Sequence, residues 1–410
     1  MKDLKMNRKK RLKSKRAGFS LPLVMFVIVL VLVMGNGLLS LGFHHRILAV
    51  RTSSEIAARS AADAGVTKAL FEMNRKLEVK PWDNSTLPQG TDEILPNTDA
   101  TYSYKVTANP GSGYAVESIG RSGMEQKIIH CTLVLKGPFE HALLTKKELV
   151  LKSDTLVHGY NSSDLWDTDI EVIVATQSTL PGAMILGNGV GVDGDVAVGV
   201  GGNVDTVIKD LGATMHKKYA LLENIDLPLA IPPALENKGS ITIQGKTSTI
   251  GPDDSGQYSM IDVKRATNPG ILEVSGGDVV LYVTGNLGLG QDCEIIIKEG
   301  ASLTLYLDGD MVADNSAGIN NQNPPASLKF YGTGTEGQSL ILKAKSDILG
   351  AIYAPNAKVT IMAKGDIRGS LIANSFELKN DGDFYYDAAL RKVTTEDDLV
   401  RFVITNWREL

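Results

Sequence analysis

Cysteine is almost missing from this chain. Its 410 residues hold two, Cys131 and Cys293, far apart and without C-x-x-C spacing, which excludes a zinc or redox motif built on cysteine. Two readings of the pair stand: a disulfide if the body is exported, or two small buried thiols. Aromatic residues make up only 6%, which argues against a groove lined for sugar stacking. The sequence has no G-x-S-x-G, no H-E-x-x-H, no P-loop and no EF-hand loop, and "GVGVDGDVAVGVGGNVD" lacks the repeated G-G-x-G-x-D of calcium-binding β-rolls. Excess positive charge is confined to the N-terminus: the first sixteen residues carry nine Lys or Arg against one Asp, the remainder is acidic, and the net charge is -5. Nucleic-acid binding by the body is thereby disfavoured, since phosphate contacts need clustered cations.

What is plentiful is glycine, 41 residues against 15 proline, together with short bursts of Val and Ile. That is the profile of a β-rich protein with many tight corners, and it disfavours a helical bundle. The length allows two to three domains.

The other conspicuous feature is a run without charge. From Ala17 to Phe43, 27 residues carry no ionisable side chain. The apolar stretch Phe19–Phe43 would make a helix of about 37 Å, enough for a bilayer core of about 30 Å and longer than a signal-peptide core of about 7 to 15 residues. Lys2, Lys5, Arg8, Lys9, Lys10, Arg11, Lys13, Lys15 and Arg16 precede it, and only the sparser His44, His45, Arg46 and Arg51 follow. The positive-inside bias places the N-terminus in the cytoplasm and the body outside. Plain single-span anchoring accounts for this much.

The junction "KRAGFSLP" is more specific: a basic leader ends in Gly18, and Phe19 and Ser20 open the apolar helix. It resembles the class III signal of type IV pilins and pseudopilins. The resemblance implies that a prepilin peptidase cuts between Gly18 and Phe19, methylates the new N-terminus, and leaves the helix on the mature protein. A residue without a side chain suits such a cut because nothing blocks the backbone. Pro22 is tolerated in a first helical turn, where its missing N–H would have no partner. Leu23 stands where the family usually has Glu. In the family that carboxylate is thought to pair with the neighbouring subunit's amine, and its absence is typical of minor tip subunits.

After "GNG" at Gly35–Gly37, which should soften the helix by about 1 kcal/mol per Gly, a helical pattern resumes through "RTSSEIAARSAADAGVTKALFEMNRKLE". Glu55 with Arg59, and Arg59 with Asp63, are i,i+4 opposite-charge pairs. Small residues between Ala57 and Gly65 allow close helix approach. Leu23, Ala57, Ala61 and Ala64 are the expected helix-packing seam, and Phe71 and Leu77 the expected anchors onto the folded body. An amphipathic stalk on its own core fits equally. "ARSAADAGVTKAL" resembles the N-terminal region of minor pilins, PilX-like in kind, and of the tip pseudopilin of type II secretion.

"PWDNSTLP" breaks the helix at Pro81–Pro88. "TYSYKVT", "YAVESIG" and "QKIIHCTLVLK", separated by "NPGSG" and "GRSGM", predict a small antiparallel meander. His130 and Cys131 are adjacent in its third strand, point to opposite faces, and cannot share a metal.

From about Glu140 to Tyr386 short Val/Ile/Leu strands recur every 8 to 10 residues, with turns too small for crossover helices. The block "DILGAIYAPNAKVTIMAKGDIRGSLIANSFELKNDG" has successive apolar phrases before glycines and no long hairpin loops. That pattern predicts stacked coils, a right-handed parallel β-helix. Part of this block resembles the β-helical C-terminal domain of pilus-assembly proteins, over about Ser339–Leu390. Gly350, Gly365 and Gly369 are read at corners, and Tyr353, Pro355 and Asn356 in a turn.

β-Helices also host polysaccharide-degrading enzymes, whose sites need convergent carboxylates. Asp193 and Asp195, Asp253 and Asp254, and Asp308 and Asp310 are the candidates, each pair more simply a solvated turn. His158 is isolated, and a surface position for His141 is as good a reading as a functional one.

The expected fold is mainly β: a basic leader (1–18), a transmembrane and amphipathic pilin-like helix (19–80), a meander (81–138), a β-helix domain (139–386) and a C-terminal cap or tail (387–410). The expected function is that of a non-catalytic minor pilin-like subunit, with no catalytic residues, cofactor or metal. Its partners would be the membrane, a prepilin peptidase, other pilin subunits and a surface ligand or carbohydrate. The alternatives are a minor pseudopilin of type II secretion, or a membrane-anchored β-helical carbohydrate binder or polysaccharide-degrading enzyme. Three carboxylates gathered on one face of the body would favour the last.

Overall fold

The computed structural model describes residues 20–109, 113–164, 166–167, 169–320, 323–362 and 364–410. α1 (Ser20–Lys76) is one helix of 57 residues that runs through Gly35 and Gly37 without a break. It is long and apolar enough to cross a membrane. The leader, Gly18 and Phe19 lie outside the described residues. Beyond α1 the protein is mainly β, and the chain divides into two compact units.

One unit takes α1 as far as Met73, with Asn84–Leu133 and Ile404–Leu410. Its sheet has five strands in the order Gln89–Ile94, Thr101–Asn109, Gly113–Ser122, Glu125–Lys136 and Arg401–Glu409. The first four form an antiparallel meander. The last strand comes from the residues that the sequence reads as a cap or tail. Tyr104, Val106, Val116, Ile129, Cys131 and Leu133 are among the buried residues of the sheet, and Ala58, Ala61, Ala62, Val66, Ala69 and Met73 among those of the helix.

Helix and sheet meet almost backbone to backbone. A Cβ on Gly120 would fall 2.0 Å from the Ala58 carbonyl oxygen and 2.4 Å from the Ala62 nitrogen. Ser118, fully buried, donates its hydroxyl to the Ala62 carbonyl at 2.7 Å. Small helix residues are what permits that separation, so here the stripe Ala58–Gly65 serves the protein's own sheet. Leu77 is buried, but Phe71 faces outward at 60% exposure. Phe71 is therefore no anchor.

The other unit, Asn74–Asp83 with Val134–Val403, holds a large parallel sheet of 25 strands. Over residues 241–319 each strand bonds the third strand after it, giving three ladders. Ile241–Gln244 pairs with Ile261–Lys264, Thr247–Ile250 with Ile271–Val274, and Gly256–Tyr258 with Asp278–Val283. Strand Asp347–Ile361 contributes to all three in turn. Alternate residues of every ladder join one continuous apolar core, from Ala142 to Tyr386.

The order of strands in space differs from their order in the chain. Asp366–Leu378 pairs on one side with Asp347–Ile361 and on the other with Leu143–Thr145 and Leu149–Leu151. Asp383–Asp387 continues this onto Leu156–Tyr160. The tier formed first in the chain thus stacks upon the tier formed last, and later ones follow as far as Lys218–Ala220. Residues 221–240, with three prolines that cannot donate to a ladder, return the chain to Ile241. This strap places Leu227 and Ala230 in a second apolar cluster with Tyr306, Tyr331, Tyr353 and Ile372, on the outward side of the third ladder. Tyr353 donates its hydroxyl to the Pro228 carbonyl at 2.6 Å.

The glycines read as corners fall where one ladder gives way to the next. Gly350 separates Ile348, paired with Ile319, from Ala351, paired with Lys329. Gly369 lies beside it with φ +138°, and a Cβ there would meet the Gly350 carbonyl oxygen at 2.0 Å. Tyr353, Pro355 and Asn356 form no separate turn. They lie inside the unbroken strand Asp347–Ile361, whose pairing register shifts between Ala354 and Lys358, and that shift does the work of a turn.

Candidate functional site

The pilin-type seam residues are not gathered in one place. Leu23 is exposed, Ala57 and Ala64 are half-buried, and Ala61 is buried against the sheet. Beyond the apolar run the helix still carries Ile47, Leu48, Val50 and Ile56 in the open, each about 60% exposed. A groove lined by Phe43, Ile47, Val50 and Met124 runs beside them, with Met124 fully exposed at a hairpin tip.

Of the candidate carboxylates, Asp254 serves its own turn, and Asp308 and Asp310 tie neighbouring tiers together. Asp254 accepts from the Gly251 N–H at 2.9 Å, and Lys238 donates to the Asp253 carbonyl. Asp308 accepts from the Tyr282 hydroxyl at 2.6 Å, which with burial pushes that phenol up to about 12, and from Thr333 at 2.5 Å. Asp310 accepts from the Ser339 N–H at 2.8 Å.

Asp193 and Asp195 behave differently, because the parallel register stacks three tiers at their position. Gly194 is paired with Val172, and Val196 with Lys218. The residues flanking those pairs, Glu171 and His216, are thereby carried alongside. Glu171, Asp195 and His216 each offer a ligand atom within 4.8 Å of the other two. Asp193 adds an oxygen 4.0 Å from His216 Nε2 and another 3.9 Å from His158 Nδ1. His158 in turn stacks on Tyr385 at 6.2 Å, and Arg368 lies over that ring at 5.1 Å. Three carboxylates do gather on one face of the body.

Glu171 and His216 have no motif around them in the sequence. The signal that would have found them is spacing: 171, 193 and 216 recur at the length of one tier. His158, isolated in sequence, is brought into this row.

The remaining chemistry-bearing residues are structural. Cys131 and Cys293 are both free and buried, and burial pushes the Cys131 thiol up to about 11. His141 is half-buried, and burial holds its imidazole down to about 4.

A family described as a domain of unknown function (DUF7305) matches residues 234–393. No curated protein matches this chain. Among solved structures, the competence-associated pilin ComZ from Thermus thermophilus is similar, with 87% of this chain and 97% of that chain covered, 14% identity and a TM-score of 0.24.

Proposed function

We propose that this chain is a minor pilin-like subunit of a type IV pilus or related filament machine, non-catalytic, held by its N-terminal helix and acting in assembly, at the tip or in adhesion. Its leader is cut between Gly18 and Phe19, and the three ladders of its body are the faces of a right-handed parallel β-helix. The observation that carries the reading is α1. Its first half is an apolar span, its second half packs on a meander through small residues, and between them Ile47, Leu48, Val50 and Ile56 stand exposed outside the membrane-length run. An apolar stripe beyond the bilayer needs cover, and neighbouring pilin helices of the same kind supply it. The offset of three strands and the single core through all three ladders support the β-helix.

The test places a photo-crosslinking residue at Ile56 or, as a control, at Lys105 on the meander, in cells that assemble filaments. Adducts to pilin subunits from Ile56 and not from Lys105 are the expected result. Adducts from neither position would count against a filament subunit.

A second reading is favoured by one observation. The gathering of Glu171, Asp193 and Asp195 is what an anchored carbohydrate-binding or polysaccharide-degrading β-helix would need.

A further inference from the structure

We propose that Glu171, Asp195 and His216, with Asp193 as fourth ligand, bind a divalent first-row transition ion of which Zn2+ is the representative. One ladder brings these side chains together from three successive tiers. The first three already have ligand atoms within 4.8 Å of one another. A tetrahedral sphere with metal–ligand distances of about 2.0–2.2 Å sets its ligand atoms about 3.3 Å apart. Closing that gap takes rotations of Glu171 and His216, both exposed and free to turn.

The backbone fixes the rest. Asp195 accepts from the Lys217 N–H at 3.1 Å through Oδ1, which leaves Oδ2 for an ion. The His216 N–H is held by the Gly194 carbonyl at 2.7 Å, and its Nε2 lies 4.0 Å from Asp193 Oδ1.

Charge supplies a second argument. Elsewhere in the body some carboxylates are neutralised by a cation, as Asp210 is by Lys218 at 2.7 Å and Glu273 by Lys298 at 3.1 Å. Glu171, Asp193 and Asp195 have no such partner among the described residues; the side chains that approach Asp193 are His158 and His216. Three carboxylates gathered beside two imidazoles, with no ammonium or guanidinium among them, are a site for a dication. The imidazole selects an ion that takes nitrogen, Zn2+ rather than Ca2+ or Mg2+, which prefer oxygen alone.

The test uses the full chain without a histidine tag, stripped with chelator and held in detergent, and titrates ZnCl2 against a chromophoric chelator. One equivalent should bind, with affinity lowered about tenfold or more in His216→Ala and in Glu171→Gln and unchanged in Asp253→Asn. The thermal midpoint should rise with Zn2+ in the parent and not in His216→Ala, and far-UV circular dichroism confirms that each variant is folded. His216→Gln replaces the alanine variant if that one fails to fold. No binding by the parent, equal binding by the His216 variant, or Ca2+ bound as tightly as Zn2+ would each overturn the proposal.

Discussion

Leu371 is paired in register with Leu143, so the last complete tier of the parallel sheet is bonded to the first. The body is therefore two blocks, 143–220 and 241–387, joined covalently by the strap and non-covalently by the ladders through Leu371, Phe376 and Phe384.

That arrangement predicts that the strap is dispensable for cohesion once the body has folded. A protease site inserted after the exposed Glu223 should be cut under native conditions, with the two fragments eluting together from a sizing column and separating only in denaturant. Fragments that separate without denaturant would contradict the ladder pairing.

The strap is nonetheless held. Tyr353 is buried and its hydroxyl meets the Pro228 carbonyl at 2.6 Å, a bond whose loss costs about 0.5–1.5 kcal/mol. Tyr353→Phe should unfold at correspondingly lower denaturant and expose residues 221–230 to faster hydrogen exchange. Unaltered exchange there would mean that the bond does not fasten the strap.

Gly120 is where helix and sheet touch, so Gly120→Val forces α1 away from the meander. Overpacking of this kind costs about 1–3 kcal/mol or more, read as a lowered thermal midpoint. Gly123→Val, at a hairpin turn with only Ser54 Oγ near, at 3.5 Å, tests backbone strain instead, since φ there is +58°. Wild-type stability of Gly120→Val would show that the approach to Ala58 and Ala62 is looser than described.

Burial holds the His141 imidazole down to about 4 from an ordinary 6.5. Its folded pKa lies below its unfolded one, so the unfolded chain binds the proton first. The contribution of neutral His141 is intact above about pH 6.5 and is lost as pH falls toward 4. The pH dependence of the thermal midpoint across that window should flatten in His141→Gln. An unchanged slope would show that His141 takes up its proton as readily in the folded state.

Much of this architecture is legible in the sequence because local chemistry dictates it. The apolar run, the period-2 strands of the meander and the glycine-punctuated Val/Ile phrases each report their own element. The tier order is not legible. Every tier presents an apolar inner row, so Leu143 suits Leu371 no better in sequence than many other rows would. Strand Arg401–Glu409 is similarly hidden: it lies far from the meander in sequence, and nothing local says which sheet edge it joins. The grouping of Glu171, Asp195 and His216 is a product of register across three tiers, so it emerges only once the tiers are stacked. Phe71 misleads for a different reason. Its helical period is right, but the buried face is set by small residues that let the backbones meet, and that face turns Phe71 outward.

Processing into a filament subunit is tested most directly at the N-terminus of the mature chain. Expressed with and without a prepilin peptidase and examined by mass spectrometry, the protein should begin at a methylated Phe19 with the enzyme and at Met1 without it. Met1 retained under both conditions would contradict processing into a filament subunit and leave α1 as a plain anchor for the parallel body.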